Sequence, residues 1–330
     1  MPLKKQHIEN RNNENTVATL DIMLKAKPFL KWVGGKGQLL ETFRGLYPEG
    51  LLNGKIKNYY EPFMGGGAVF FDIMQQHPVE NAFLYDINEE LVLTYRVIQR
   101  DVAKLTSILY EYEKAYRKRN KSEQAAYYYE QRTQFNQQRN SINYGTYSDR
   151  WLARAAQLIF LNKTCFNGLY RVNSKGAFNT PAGEYTNPTI CDENNLLAAS
   201  KVLEAATIQL ADFRQVKKDL RPGSFVYFDP PYRPISKTAS FTAYSRQSFA
   251  DEDQKALKEL FVHIDNKGER VMLSNSDPRN ADPNDNFFDE LYKDFNILRI
   301  PAKRMINSNA AKRGNINEIV VTNYPTAANP

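Results

Sequence analysis

Cysteine and histidine are scarce in this chain. Two cysteines, Cys165 and Cys191, and three histidines, His7, His77 and His263, are scattered over 330 residues. Two thiols make no disulfide framework. Neither residue type shows zinc-ligand spacing, which argues against a metal site or a histidine-based triad. Long apolar runs are missing as well. None approaches the roughly 20 residues of a membrane-spanning helix, and the N-terminus lacks the apolar core of a signal peptide. There are no internal repeats. The expectation is a protein of the reducing cytoplasm that uses no metal and no membrane.

What remains is a globular composition, 42% hydrophobic and 25% charged, long enough for one large domain or two moderate ones. The net charge of +7 and a pI near 9.1 suit a polyanionic partner without identifying it. The charge is unevenly spread. Residues 96–194 hold 15 Lys and Arg against 9 Asp and Glu, so their surplus of 6 nearly accounts for the whole chain's 7, and they carry 10 of the 20 tyrosines. The patterning there predicts helices over 101–119, 123–140 and 150–163, then an Asn- and Gly-rich irregular stretch from Lys163 to Pro188. A loop of that length is usually functional or disordered. Basic charge mixed with aromatics and amides suits phosphate positioning and base contacts.

On either side the pattern is α/β. Strands are expected at Tyr59–Glu61, Asn81–Asp86, Thr207–Leu210, Phe225–Phe228, Arg270–Ser274, Asn296–Ile300 and Glu318–Thr322, with helices at Leu196–Ala205 and 251–264. The basic segment thus reads as an insertion into a sheet. Residues 1–27, polar and Asn-rich, read as a mobile tail.

The stretch Phe225-Val-Tyr-Phe-Asp-Pro-Pro-Tyr232 carries the chemistry. A short buried strand is stopped by two prolines, which cannot donate to a ladder. This leaves a carboxylate, a stiff elbow and an aromatic ring at a strand's carboxyl end, where open α/β sheets bind ligands. The arrangement suits methyl transfer to an exocyclic amine. The lone pair of an adenine amino group is delocalised into the ring. Accepting hydrogen bonds from both of its N–H groups, at Asp229 and the carbonyl of Pro230, pushes the nitrogen toward a pyramidal, nucleophilic shape. Pro231 stiffens the elbow and Tyr232 offers a stacking face.

Two glycine-bearing stretches precede it. In Phe29-Leu-Lys-Trp-Val-Gly-Gly-Lys36, a helix is expected to start at Lys36 after the Gly34-Gly35 turn, with an anion favoured at its N-terminus. Lys36 would bind a carboxylate, and Trp32 would cover an adenine or a cation. Walker A spacing is absent. In Glu61-Pro-Phe-Met-Gly-Gly-Gly67, a strand, a turn and a helix are followed by Asp86 at the end of the next strand. Gly65 to Asp86 spans 21 residues, near the spacing at which an acid meets ribose hydroxyls in nucleotide-binding βαβ units.

Taken with Asp212-Phe213, Phe166-Asn-Gly-Leu-Tyr-Arg-Val-Asn-Ser-Lys-Gly-Ala-Phe-Asn-Thr-Pro181 and Arg313-Gly-Asn-Ile-Asn-Glu-Ile-Val-Val-Thr-Asn-Tyr324, these motifs resemble the Dam-type DNA adenine-N6 methyltransferases from Pro28 to Tyr324. The resemblance implies a Rossmann-like α/β methyltransferase sheet, residues 28–95 and 195–330, with a mainly helical target-recognition domain, residues 96–194, inserted. It implies S-adenosylmethionine as cofactor, contacted by Trp32, Lys36, Asp86 and Asp229, cradled by Glu61, Phe63, Gly65 and Gly67, with Asp212 and Phe213 near its adenine. It implies double-stranded DNA as partner, contacted by Lys31, Phe166, Asn167, Leu169, Arg171 and Pro181. The most similar subgroup methylates adenine in GATC, often beside a restriction endonuclease. A long N-terminal tail and an expanded Pro278–Asn286 loop depart from the pattern. The alternatives are a methyltransferase acting on RNA or on a protein glutamine, and a non-enzymatic nucleotide-dependent DNA-binding protein.

Overall fold

The computed structural model describes residues 25–233, 249–303 and 315–326. Most of the tail, most of the polar loop after Tyr232, and Arg313-Gly314 lie outside the described residues.

Seven strands form one sheet: β1 (Asn58–Glu61), β2 (Asn81–Asp86), β3 (Ala206–Leu210), β4 (Ser224–Phe228), β5 (Arg270–Ser276), β6 (Asn296–Lys303) and β7 (Asn315–Thr322). Their spatial order is β3-β2-β1-β4-β5-β7-β6. The first five are parallel, whereas β7 runs antiparallel to both β5 and β6. The chain builds outward from β1 to β3 and then returns to lay β4 on the other side of β1. Loops leaving β1 and β4 therefore diverge and open a crevice at their carboxyl ends.

The sheet is covered on both faces, which is why its central strand β4 reads as an unbroken apolar run rather than an alternating one. Successive residues of β4 show the two-residue period directly. Phe225 and Tyr227 join Met272 and Val320 in one core, while Val226 and Phe228 join Leu273 and Ile319 in the other. The first face carries helices α1 (Ala68–Gln76), α2 (Glu89–Arg117) and α5 (Glu193–Leu203). The second carries α6 (Asp251–Asn266) and the short helix Phe287–Leu291.

Between β2 and β3 the chain runs through α2, α3 (Lys121–Gln138), α4 (Asp149–Thr164) and α5. The helix expected from residue 101 is the second half of α2, which bends at Asp101 (φ −136°, ψ 40°) and otherwise continues to Glu89. The break matches a carboxylate pulled sideways: Asp101 accepts from the Tyr147 hydroxyl and pairs with Lys104 at 3.1 Å. Arg154 of α4 is fully buried against Glu90 at the start of α2, Nε to Oε2 2.9 Å, and Glu90 also accepts from the Tyr144 hydroxyl at 2.6 Å. The first core runs without a break from the sheet through Leu105, Trp151 and Phe160.

Two expectations are corrected. The Lys163–Pro188 stretch is not irregular throughout. It holds the end of α4, a 3₁₀ turn at Phe166–Gly168, and antiparallel bridges Cys165–Ala182 and Val172–Phe178. Its tip closes through Asn173, whose side chain accepts the N–H groups of Lys175 and Ala177. No helix starts at Lys36 either. The helix that follows spans only Leu40–Arg44, because Gly34 (φ +78°) to Leu39 is spent in turns that carry Lys36 inward.

Candidate active site

The turn after β1 is made for close approach. Gly65 and Gly67 adopt positive φ (+47° and +69°), and a Cβ on Gly67 would stand 2.6 Å from the Tyr95 hydroxyl. One on Gly65 would meet the Trp32 ring at 3.2 Å. Asp86, at the end of β2, fastens this turn. Its Oδ2 accepts the Gly65 N–H at 3.1 Å and its Oδ1 the Asn88 N–H at 2.8 Å. Burial pushes the Asp86 carboxyl up, and those backbone donors hold it back. Each oxygen keeps a lone pair for a further donor. Glu61 lies deeper. It accepts the Tyr59 hydroxyl at 2.6 Å, and burial pushes its pKa up to about 8 against that hydrogen bond and one from the Phe70 N–H.

An aromatic wall closes one side. Phe63 stacks on Phe213 with centroids 5.5 Å apart, and Phe249 stands edge-on to both. Asp212 remains exposed beside this wall, its carboxylate paired with Arg214 at 2.9 Å and accepting the Arg214 N–H. On the other side Trp32 stacks on Tyr170 (5.1 Å, 19°), which joins the glycine turn to the Phe166–Pro181 stretch.

At the end of β4, Asp229 faces Lys36 at 2.7 Å, with 20% of its side chain exposed against 3% for the lysine. Lys36 also donates to the carbonyl of Gly34 (3.0 Å) and to the Tyr232 hydroxyl (3.2 Å), and lies 4.9 Å from the Tyr232 ring centroid. Burial disfavours the ammonium, but the Asp229 charge prevails and lifts Lys36 above the ordinary lysine value. Burial raises Asp229 to about 6 in spite of the lysine. Tyr232 is 40% exposed. Arg233, next in the chain, pairs with Asp251 (2.8 Å) and with Asp285 of the expanded loop (2.7 Å), so that loop anchors the residue following the Pro230-Pro231 elbow.

Two members of the site were not assigned from sequence. Glu318 on β7 accepts the Tyr232 hydroxyl at 2.6 Å and stands 3.8 Å from Lys36 Nζ. Strand alternation was the available signal, since it sets Glu318 on the same face as Val320 and Thr322. Ser274 on β5 shares a 2.7 Å hydrogen bond with the Tyr227 hydroxyl and stands beside Asp229, where it helps hold the carboxyl down against burial.

The residues expected to meet DNA gather along one strip. Phe166 is 51% exposed, and Asn167 is the only non-glycine residue with positive φ (56°) among the described residues. Arg171 and Pro181 are exposed and Leu169 is half-buried. Asn179 takes the Arg171 Nε–H at 3.0 Å, leaving the two terminal nitrogens as an outward fork. Lys31 packs into this strip. Asn162, buried at the end of α4, accepts the Lys31 N–H and donates to the carbonyls of Lys31 and Gly168, all at 2.9 Å. Gly168 has no room for a side chain, since a Cβ would lie 2.4 Å from Lys31 Cδ.

Residues 32–306 match the family model of the D12 class N6 adenine-specific DNA methyltransferases. The chain is 44% identical over 302 residues to the type II methyltransferase M.MjaIII of Methanocaldococcus jannaschii, covering 91% of this chain and 100% of that one. It is 39% identical to the type II methyltransferase M1.LlaDCHI of Lactococcus lactis subsp. cremoris (91% and 96% covered). It is 30% identical to a DNA adenine methylase of Vibrio cholerae serotype O1 (92% and 98%).

Proposed function

The chain belongs to the D12 class of N6 adenine-specific DNA methyltransferases, and on that footing we propose that it methylates an adenine within GATC, flipped out of double-stranded DNA, using S-adenosylmethionine. One observation carries the reading. Asp229 and the half-exposed Tyr232 stand together at the carboxyl end of β4, beside the glycine turn of β1, where the strand order reverses.

The residues present fit the cofactor. The Gly65–Gly67 backbone is bare enough for close approach, Asp86 keeps acceptor capacity for ribose hydroxyls, and the Phe63–Phe213 pair offers a flat apolar wall. When bound, the cofactor supplies an electrophilic methyl group. Lys36 and Trp32 hold its amino-acid end, and Glu61 lines the cradle. For the base, Asp229 and the carbonyl of Pro230 accept the two amino N–H groups, and the Tyr232 ring stacks on the purine. Ser274, held by Tyr227, stands beside the Asp229 carboxylate and favours its ionised form. Water is kept away by the aromatic side of the crevice.

Residues 96–194 act as the DNA-contacting insert between the two parts of the catalytic domain, 28–95 and 195–330. Lys31, Phe166, Asn167, Leu169, Arg171 and Pro181 reach the duplex, with Phe166 wedged beside the extruded base. Arg171 offers its fork to the O6 and N7 of guanine. The type II names of two relatives support a role beside a restriction endonuclease, and the family favours duplex DNA over RNA or a protein glutamine. Among the described residues no helix is long and apolar enough to cross a membrane.

The test is methyl transfer to a GATC duplex by Asp229 variants. Asp229→Ala should abolish transfer and leave DNA affinity largely intact. Asp229→Asn, which retains a carbonyl acceptor, should keep a residual rate. An Asn variant as inactive as Ala would replace acceptor catalysis with proton abstraction.

A further inference from the structure

Lys36 presents a difficulty for the reaction just described. Its ammonium is bonded to Asp229 at 2.7 Å, on the carboxylate that is to receive the adenine amino group. The cofactor's amino-acid end offers Lys36 one acceptor, but releasing a buried ammonium is costly unless a second takes the place of Asp229. The structure contains a receiver. Glu318 is 6% exposed. Its Oε1 is engaged by the Tyr232 hydroxyl, while its Oε2 is buried and has no hydrogen-bond partner among the described residues. That idle oxygen is 3.8 Å from Lys36 Nζ, about an ångström beyond hydrogen-bond distance. Buried carboxylate oxygens are rarely left unused, and each exception calls for a reason.

We propose that Glu318 is a positioning residue whose Oε2 takes over the Lys36 ammonium when the base enters, freeing Asp229 for the amino group. The inference rests on the reading of Asp229 given above. The lysine shuttles a short way between two carboxylates, one on each side of β5, without losing its hydrogen bond to Gly34. The Glu318–Tyr232 bond persists in both arrangements, so the stacking ring stays in place.

Equilibrium binding tests this without turnover. Two duplexes carry the recognition site with an abasic position opposite the target, one with adenine there and one with purine, which lacks the amino group. In saturating S-adenosylhomocysteine the wild type should bind the adenine duplex about tenfold more tightly or better, the worth of one charge-assisted contact. Glu318→Gln keeps the volume and still accepts the Tyr232 hydroxyl, but it turns an amide toward the ammonium. Its preference should fall toward unity while its affinity for the purine duplex stays at the wild-type value. Tyr232→Phe, which loses only the hydroxyl, should retain the preference. A role limited to aiming Tyr232 predicts the reverse, a harmless Gln and a harmful Phe, and that pattern overturns the proposal. An unchanged preference in Glu318→Gln overturns it too, meaning that Lys36 leaves Asp229 for another acceptor. Absence of any preference in the wild type would instead remove the underlying reading of Asp229.

Discussion

Asp229 answers to two opposed demands. In the proposed reaction it must be ionised to accept a hydrogen bond from the amine; buried, it is costly to ionise. The balance leaves it at about 6, above the ordinary aspartate value. The sign follows from that shift. Below about pH 6 the carboxyl protonates and transfer should slow, approaching a tenfold loss per pH unit. The fold should respond the other way. Ionised Asp229 burdens the native state above pH 6, and that burden lifts as pH falls from about 6 toward about 4. Single-turnover rates and thermal melts across this range, each compared with Asp229→Asn, would show activity and stability moving in opposite directions. A rate that stays level down to pH 5 would mean that Lys36 keeps Asp229 ionised throughout. Glu61, raised to about 8, remains mostly protonated near neutrality, so the crevice holds a neutral carboxyl within electrostatic reach of Asp229.

At the level of elements, the segment before Lys36 is stitched to the β2–β3 connection by two asparagines acting alike. Asn195 accepts the Lys27 N–H (2.9 Å) and donates to the Lys27 carbonyl (3.1 Å), and Asn162 does the same four residues on at Lys31. Ala26 and Lys27 fall in the stretch read from sequence as a tail, yet their backbones are bonded to Gln75 and Asn195. Asn162→Ala would strand three partners, the Lys31 N–H and the carbonyls of Lys31 and Gly168. A loss of about 1–3 kcal/mol in urea unfolding is expected, and a change near zero would show that water replaces the amide. The strands were legible because parallel strands buried on both faces must be apolar throughout, as Phe225–Phe228 is. The asparagines were not. Nothing in a single residue of helix α4 reveals that a backbone 131 positions away will lie against it. The helix expected at Lys36 failed for a related reason, because a tertiary ion pair with Asp229 outweighed local propensity.

For the molecule as a whole, charge and topology each have a consequence. With most of the excess positive charge in residues 96–194, the logarithm of DNA affinity should fall linearly with the logarithm of salt concentration, with a slope of about −0.9 per phosphate neutralised. Neutralising exposed Lys and Arg inside that segment should flatten the line, and equal changes elsewhere, Lys31 apart, should not. Salt titration of duplex binding reads this directly. The catalytic crevice was legible as far as it lies in contiguous motifs, Glu61–Gly67 and Asp229–Tyr232. Glu318 was not, because its place is set by strand order, and β7 enters the sheet between two strands made before it. That threading also sets a timetable for biosynthesis. Among the described residues β6 pairs with no strand but β7, and β7 carries Glu318. A growing polypeptide therefore lacks both the partner of β6 and the Glu318 side of the crevice until β7 emerges, so this margin of the sheet can close only at the end of synthesis.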